Sequence, residues 1–196
     1  MRNYLTTAPL VFVISLAAFG EAQAQQPSIS YDAFAAGITK TDLDGVQFTS
    51  FSVGTTFSLS DSFFVAGSFG AGESDEKYRG NALNLDGYSF GLGYHSPINS
   101  TTDLVTSLNY SSVEAEFAGA VDESDGIGVD IGVRSFLTQD FEVGAFLEYS
   151  DSGNSDGEVS FSINGKYFIT ETFAVVAAYE TGDDYNSISA SLRFNF

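Results

Sequence analysis

Ile188-Ser189-Ala190-Ser191-Leu192-Arg193-Phe194-Asn195-Phe196 closes the chain, and its reading decides the fold. Every second residue is apolar or small up to a terminal Phe, and the residues between are Ser, Arg and Asn. A period of two belongs to an extended strand whose faces meet different surroundings. A soluble β-sandwich would show the same alternation, but it has no need of an aromatic strand ending on a Phe carboxylate. That ending matches the signal read by the machinery that inserts barrels into the bacterial outer membrane. Leu192, Phe194 and Phe196 are therefore the expected insertion signal.

Working back from this strand, the same period recurs through most of the chain. Phe51-x-Val53-x-Thr55-x-Phe57, Tyr88-x-Phe90-x-Leu92-x-Tyr94, Ile127-x-Val129-x-Ile131-x-Val133 and Phe173-x-Val175-x-Ala177-x-Tyr179 show it most clearly. No helical period competes. About ten strands are predicted, near 28–38, 46–59, 63–71, 87–95, 103–117, 126–137, 141–150, 158–168, 173–180 and 187–196, with eight as the alternative. The expected fold is all-β, a transmembrane up-and-down antiparallel barrel. Closure leaves no unpaired strand edge in lipid, which cannot solvate one.

A repeated turn sets the hairpins. Leu59-Ser60-Asp61-Ser62-Phe63, Leu137-Thr138-Gln139-Asp140-Phe141 and Ile169-Thr170-Glu171-Thr172-Phe173 each place three polar residues between an aliphatic residue and Phe. Ile98 to Leu104 holds a longer version. The other connections are acidic: Thr41–Gly45, Gly72–Gly80, Val121–Gly126, Asp151–Gly157 and Thr181–Tyr185. Short turns at one end and polar loops at the other are the habit of outer-membrane barrels, with turns periplasmic and loops outside. Aromatics near strand ends, Phe63, Phe141, Tyr167, Phe173 and Phe194 below and Tyr88, Tyr149 and Tyr179 above, suit interfacial girdles.

The other end of the chain supports export. Arg2 precedes the apolar run Pro9 to Phe19, which is too short to span a bilayer, and Ala22-Gln23-Ala24 is a small-x-small cleavage pattern. Residues 1–24 are expected to be a cleaved signal peptide and 25–196 the barrel; a retained anchor is the weaker alternative. The chain has no cysteine, which excludes a disulfide scaffold, a thiolate metal site and an N-terminal lipid attachment. Seven basic residues against 26 acidic ones, a net charge of −19, argue against nucleic acid or anionic lipid as partners.

Strand parity assigns the inward face Asp32, Asp130, Arg134, Glu142, Glu148, Glu158, Lys166, Glu180 and Arg193. If Leu137 pairs with Phe141, Asp130 falls opposite Glu148 and Glu142 lies diagonal to Arg134; if Ser150 pairs with Glu158, Glu142 faces Lys166. Arg134, Glu142 and Lys166 are then a lumenal charge cluster near the periplasmic half. Its blander reading is a salt-bridge plug, since barrels of eight strands hold little beyond side chains and ten add little room. Its sharper reading is a narrow pore for ions or small polar solutes. Asp130 facing Glu148 makes the upper lumen attract cations, because like charges across a strand pair repel unless a cation or proton intervenes.

Two further constellations are weighed. Asp151, Asn154, Asp156 and Glu158 faintly suggest calcium or magnesium ligands, but the spacing departs from an EF-hand, and a solvated loop is the plainer reading. Glu114 and Glu116 face outward on a long strand and offer divalent bridging to lipopolysaccharide phosphates. For catalysis, the single histidine, His95, lies beside Ser96 and Pro97 without a Gly-x-Ser-x-Gly elbow or a second His, so no enzyme and no cofactor is expected.

The motifs Gly91-Leu92-Gly93-Tyr94, Thr101-Thr102-Asp103-Leu104-Val105, Asp125-Gly126 and Gly132-Val133-Arg134-Ser135, with the closing aromatic strand, resemble the small porin-like outer-membrane barrels of gammaproteobacteria. These are related to the so-called sulfation-dependent quorum factor of xanthomonads. The resemblance implies an outer-membrane barrel exported by the general secretory route and supplies no catalytic residues. The expected partners are outer-membrane lipid and lipopolysaccharide, and the barrel-assembly machinery through the last strand. Expected function divides between a narrow, cation-preferring diffusion channel and a structural or surface-interaction barrel with a plugged lumen.

Overall fold

A computed structural model describes residues 29–77, 80–152 and 157–196. The predicted signal peptide lies outside them. Ten strands follow one another: β1 (Ala33–Leu43), β2 (Val46–Ser58), β3 (Phe63–Ser74), β4 (Leu83–Asn99), β5 (Thr102–Phe117), β6 (Ala120–Phe136), β7 (Phe141–Asp151), β8 (Glu158–Phe168), β9 (Phe173–Thr181) and β10 (Tyr185–Asn195). Each pairs antiparallel with its neighbour in sequence, and β10 returns to β1, closing the barrel. The closing seam is a full ladder from Ala33 opposite Asn195 to Leu43 opposite Tyr185.

Alternation sorts the side chains onto two walls. Phe34, Phe51, Phe69, Phe90, Leu108, Ile131, Leu147, Phe161, Ile188 and Leu192 stand on the outer face, each large, apolar and exposed. In water such a surface would be untenable; in hydrocarbon each group gains about 1.5–3 kcal/mol by transfer. The inner face mixes small and polar residues with a few buried apolar ones such as Phe48, Phe64, Leu85, Phe136 and Phe168, and holds fully buried Arg134, Glu142, Lys166 and Thr56.

The repeated turns share one hydrogen-bond scheme. The N–H groups of Leu59, Leu137 and Ile169 donate to the carbonyls of Phe63, Phe141 and Phe173 at 2.7, 2.9 and 2.8 Å. Hydroxyls close them from within: Ser60 Oγ accepts from Phe63 N–H at 3.2 Å, and Thr170 Oγ1 from Phe173 N–H at 3.0 Å. Side chains of this kind compete for local backbone groups and so favour turns over strand.

At the opposite end the structure corrects two expected loops. β1 and β2 join through the two residues Asp44 and Gly45, and β5 and β6 through Ala118 and Gly119, all four at positive φ. These are tight hairpins whose twist matches the strands. The acidic stretch Asp122–Asp125 is therefore ladder within β6, with Glu123 opposite Glu114. Water above the hydrocarbon solvates carboxylates on a strand as readily as on a loop, so polarity alone did not mark the boundary.

That ladder makes the rim uneven. β7 to β10 have 11, 11, 9 and 11 residues, about what crosses a bilayer. β4, β5 and β6 have 17, 16 and 17, so these strands are longer by roughly 20 Å along their own tilted axes at 3.3 Å per residue, and β6 runs seven residues past the loop end of β7. Beside them, Asp75 Oδ1 accepts from Thr49 Oγ1 at 2.6 Å and Asp75 Oδ2 from Lys40 Nζ at 3.0 Å. The Thr49 hydroxyl, then the Lys40 ammonium, hold this exposed carboxyl below its ordinary range.

The first strand is the second correction. It begins at Ala33, not near residue 28, because Asp32 leaves the ladder. Its carboxylate accepts from Ser58 N–H at 2.8 Å and Ser58 Oγ at 2.9 Å, on the turn-end rim. Asp32 thus departs from the inward set. Its own N–H donates to Ser30 Oγ at 3.2 Å, a turn that sends the preceding residues into the barrel.

Candidate functional site

Among the described residues, buried polar chemistry is gathered in the lumen, and its turn-end half holds an ionic knot. Register places Glu142 of β7 opposite Lys166 of β8, and Arg134 of β6 opposite Gly144, one step diagonal to Glu142. Arg134 Nε donates to Glu142 Oε1 at 2.8 Å, and its terminal amine donates to Oε2 at 3.1 Å. Lys166 Nζ donates to the same Oε1 at 2.6 Å. Both oxygens of one carboxylate are thereby shared between two cations, all three side chains having 0% exposure. The geometry is the bidentate fork that suits guanidinium to carboxylate. Gly144 matters here, because a Cβ there would meet the Asn164 amide and the Phe146 ring.

Arg193 of β10 completes the charged floor, its Nε donating to Asn195 Oδ1 and its guanidinium lying 5.9 Å from the Phe168 ring centroid. The described lumenal bases, Arg134, Lys166 and Arg193, all belong to this half. Toward the loop end the lumenal charges are acids. Asp130 stands opposite Glu148. Asp130 Oδ2 accepts from Ser107 Oγ at 2.5 Å and from the Asn109 amide. Above them Glu158 Oε1 accepts Asp183 N–H at 3.1 Å, and Tyr185 Oη donates to Glu180.

Two residues with no place in the sequence-derived set complete the site. Tyr31, 2% exposed, stands inside the barrel. Its ring stacks on His95 at 3.8 Å between centroids and on Phe64 at 4.8 Å, and its Oη donates to Asp103 at 2.9 Å. Arg134 ties the two assemblies together: its guanidinium lies 4.9 Å from the Tyr31 centroid, and its Nη1 donates to Ser30 O at 3.2 Å. Ile29 packs against both the Tyr31–Phe64–Val105 cluster and the Phe136–Phe168–Ala174 cluster. His95 Nδ1 sits 3.3 Å from Asp103 Oδ2. The parity of β5 carried Asp103 as a signal, since it shares a face with Val105 and Ser107. For Tyr31 there was no such signal, since the inward assignment of Asp32 sets its neighbour outward.

The loop constellation is not assembled. Asp151 ends β7 on the exposed face, whereas Glu158 is buried in the lumen, and Asn154 and Asp156 lie outside the described residues. Among the described residues, no group of three His, Cys, Asp or Glu side chains is placed to hold a metal ion. The last strand sets Leu192, Phe194 and Phe196 on the outer surface at 54%, 50% and 48% exposure.

Fold and site together define a closed ten-stranded barrel of the outer-membrane type with a charged, strapped lumen. No family model matches the chain, and no curated protein matches it. Among solved structures, the barrel is similar to the NanC porin, with a TM-score of 0.51 and 9% identity over 82% of this chain and 100% of that one. The KdgM porin in complex with disordered oligogalacturonate gives 0.50 and 9% over 84% of this chain and 99% of that chain. The translocator domain of the autotransporter NalP from Neisseria meningitidis gives 0.50 and 9% over 84% and 88%. At such identity the likeness is one of fold.

Proposed function

We propose that this chain is a porin-like barrel of the bacterial outer membrane, kin to the small porin-like barrels it resembles, that rests with its lumen closed and presents an acidic rim to the outside. Residues 1–24 would direct export and be removed, and the last strand would hand the barrel to the insertion machinery. The observation that carries the reading is the fully buried Arg134–Glu142–Lys166 knot, which shares Arg134 with the inserted Ser30 and Tyr31. A conducting path needs solvated charge; charge at zero exposure that satisfies itself is packing.

The acids toward the loop end support a second reading, a narrow channel that prefers cations, with Asp130, Glu148, Glu158 and Glu180 attracting them at its mouth. The same acids speak against transferring the KdgM ligand to this chain, since an oligogalacturonate is itself a polyanion. No catalytic role is proposed for His95, which is stacked on Tyr31. Lipopolysaccharide would meet the Tyr88 and Tyr110 girdle and the carboxylates Glu114 and Glu116 above it. Single-channel recording of the purified barrel in planar bilayers tests the closed reading. The expected trace is quiet; steady conductance with cation preference would replace the closed reading with the channel, and steady conductance with anion preference would defeat both.

A further inference from the structure

The two walls of the lumen are unlike. On β6 to β10 it carries long charged side chains, whereas across the middle of the barrel the inward positions of β2 to β4 are Ser52, Gly54, Ser68, Gly70, Gly87 and Ser89, with Phe48 and Leu85 nearer the loop end and Phe64 at the turn end. Across that middle stretch, a wall of hydrogens and hydroxymethyl groups reaches little into the lumen. At the turn end this side of the lumen is filled by another part of the chain. Tyr31 stacks on Phe64 of β3 and His95 of β4 and reaches Asp103 of β5, while Phe64 itself lies over Gly93. Behind it Ile29 spans to the cluster of Phe136, Phe168 and Ala174 on β6, β8 and β9.

We propose that residues 29–31 form a displaceable strap that stoppers a conduit running along the small-residue wall of β2 to β4, and that its withdrawal opens the barrel. This rests on the closed reading above. The ionic knot is built on β6 to β8 and stays on its own wall; the strap crosses the lumen to the other.

The way the strap is held supports displacement. The ladder begins at Ala33, opposite Asn195 on one side and Thr56 on the other, so pairing of β1 with β10 and β2 does not depend on Ile29, Ser30 or Tyr31. Among the described residues, what retains them is the Tyr31 hydroxyl on the Asp103 carboxylate, the Ser30 carbonyl and the Tyr31 ring on the Arg134 guanidinium, ring stacking, and the packing of Ile29 against the two apolar clusters. Such contacts are individually modest and reversible, whereas a strand in a closed barrel is held by every rung. Asp32, clamped to Ser58 at the rim, is the hinge at which the strap would leave.

The test compares wild type with Tyr31→Ala and Tyr31→Phe in planar bilayers. The heat-dependent gel mobility of folded barrels confirms that each variant closes. Y31A loses stacking and hydrogen bond together and is expected to raise open-state occupancy about tenfold or more; Y31F keeps the ring and should open severalfold. A folded Y31A as quiet as a quiet wild type would overturn the strap and leave the closed barrel standing. A wild type that conducts as steadily as Y31A would overturn both. If Y31A does not fold, Y31F decides alone: openings above wild type support the strap, and equal silence refutes it.

Discussion

Glu142 carries the heaviest duty of any single residue. One carboxylate neutralises Arg134 and Lys166 where no water reaches. Removing one member of a buried ion group leaves the others charged and desolvated, at a cost of about 3–5 kcal/mol, whereas exchanging the whole group for apolar side chains of similar volume is often neutral or stabilising. Glu142→Gln is therefore expected to lower barrel stability by that amount in urea unfolding, while the triple change Arg134→Met, Glu142→Leu, Lys166→Met is not. If the triple variant loses as much as E142Q, the knot is stabilising in itself. The residues of this knot were legible from parity, because charge at an inward position of a regular strand has only one place to go. Tyr31 was not: outside the ladder, alternation carries no information about direction, and only the Asp32 clamp and the Ser30 turn decide it.

Among the elements, the two positive-φ hairpins show where reading by composition stops. Asp44-Gly45 is a favoured pair for a two-residue turn, since Asp tolerates the left-handed region and Asp42 Oδ1 accepts from Gly45 N–H at 2.9 Å. Ala118-Gly119 has the same backbone with the wrong first residue: Ala118 sits at φ 52, where a Cβ is crowded and nothing repays it. Sequence reasoning therefore passed over it and placed the connection among the acids that follow. Ala118→Gly should relieve about 1 kcal/mol of this strain. The exposed tip makes local opening the sensitive readout. Amide exchange at the adjoining Phe117–Ala120 rung is expected to slow about fivefold, and an unchanged or faster rate would mean that the strain is absorbed elsewhere.

At the scale of the whole molecule, an up-and-down barrel is unusually readable, because sequence neighbours are spatial neighbours and only the β1–β10 seam joins distant segments. Strand number, turn polarity and facing all follow from a period of two and from where it is interrupted. The contents of the lumen follow from it only where they belong to the strands. Those contents leave the turn end with a small positive excess, Arg134, Lys166 and Arg193 against Glu142 and Asp103, and the loop end with the acids Asp130, Glu148, Glu158 and Glu180. Two ends of opposite fixed charge make a diode. Driving cations inward from the acidic end, and anions from the basic end, crowds carriers into the passage; reversing the field sweeps them out. Once unstoppered, the barrel should rectify, passing more current when cations move from loop end to turn end. The current–voltage curve of Y31A recorded at both polarities, with its orientation fixed by one-sided insertion, reads this directly, and a symmetric curve would show that the lumenal charges do not act on the passage.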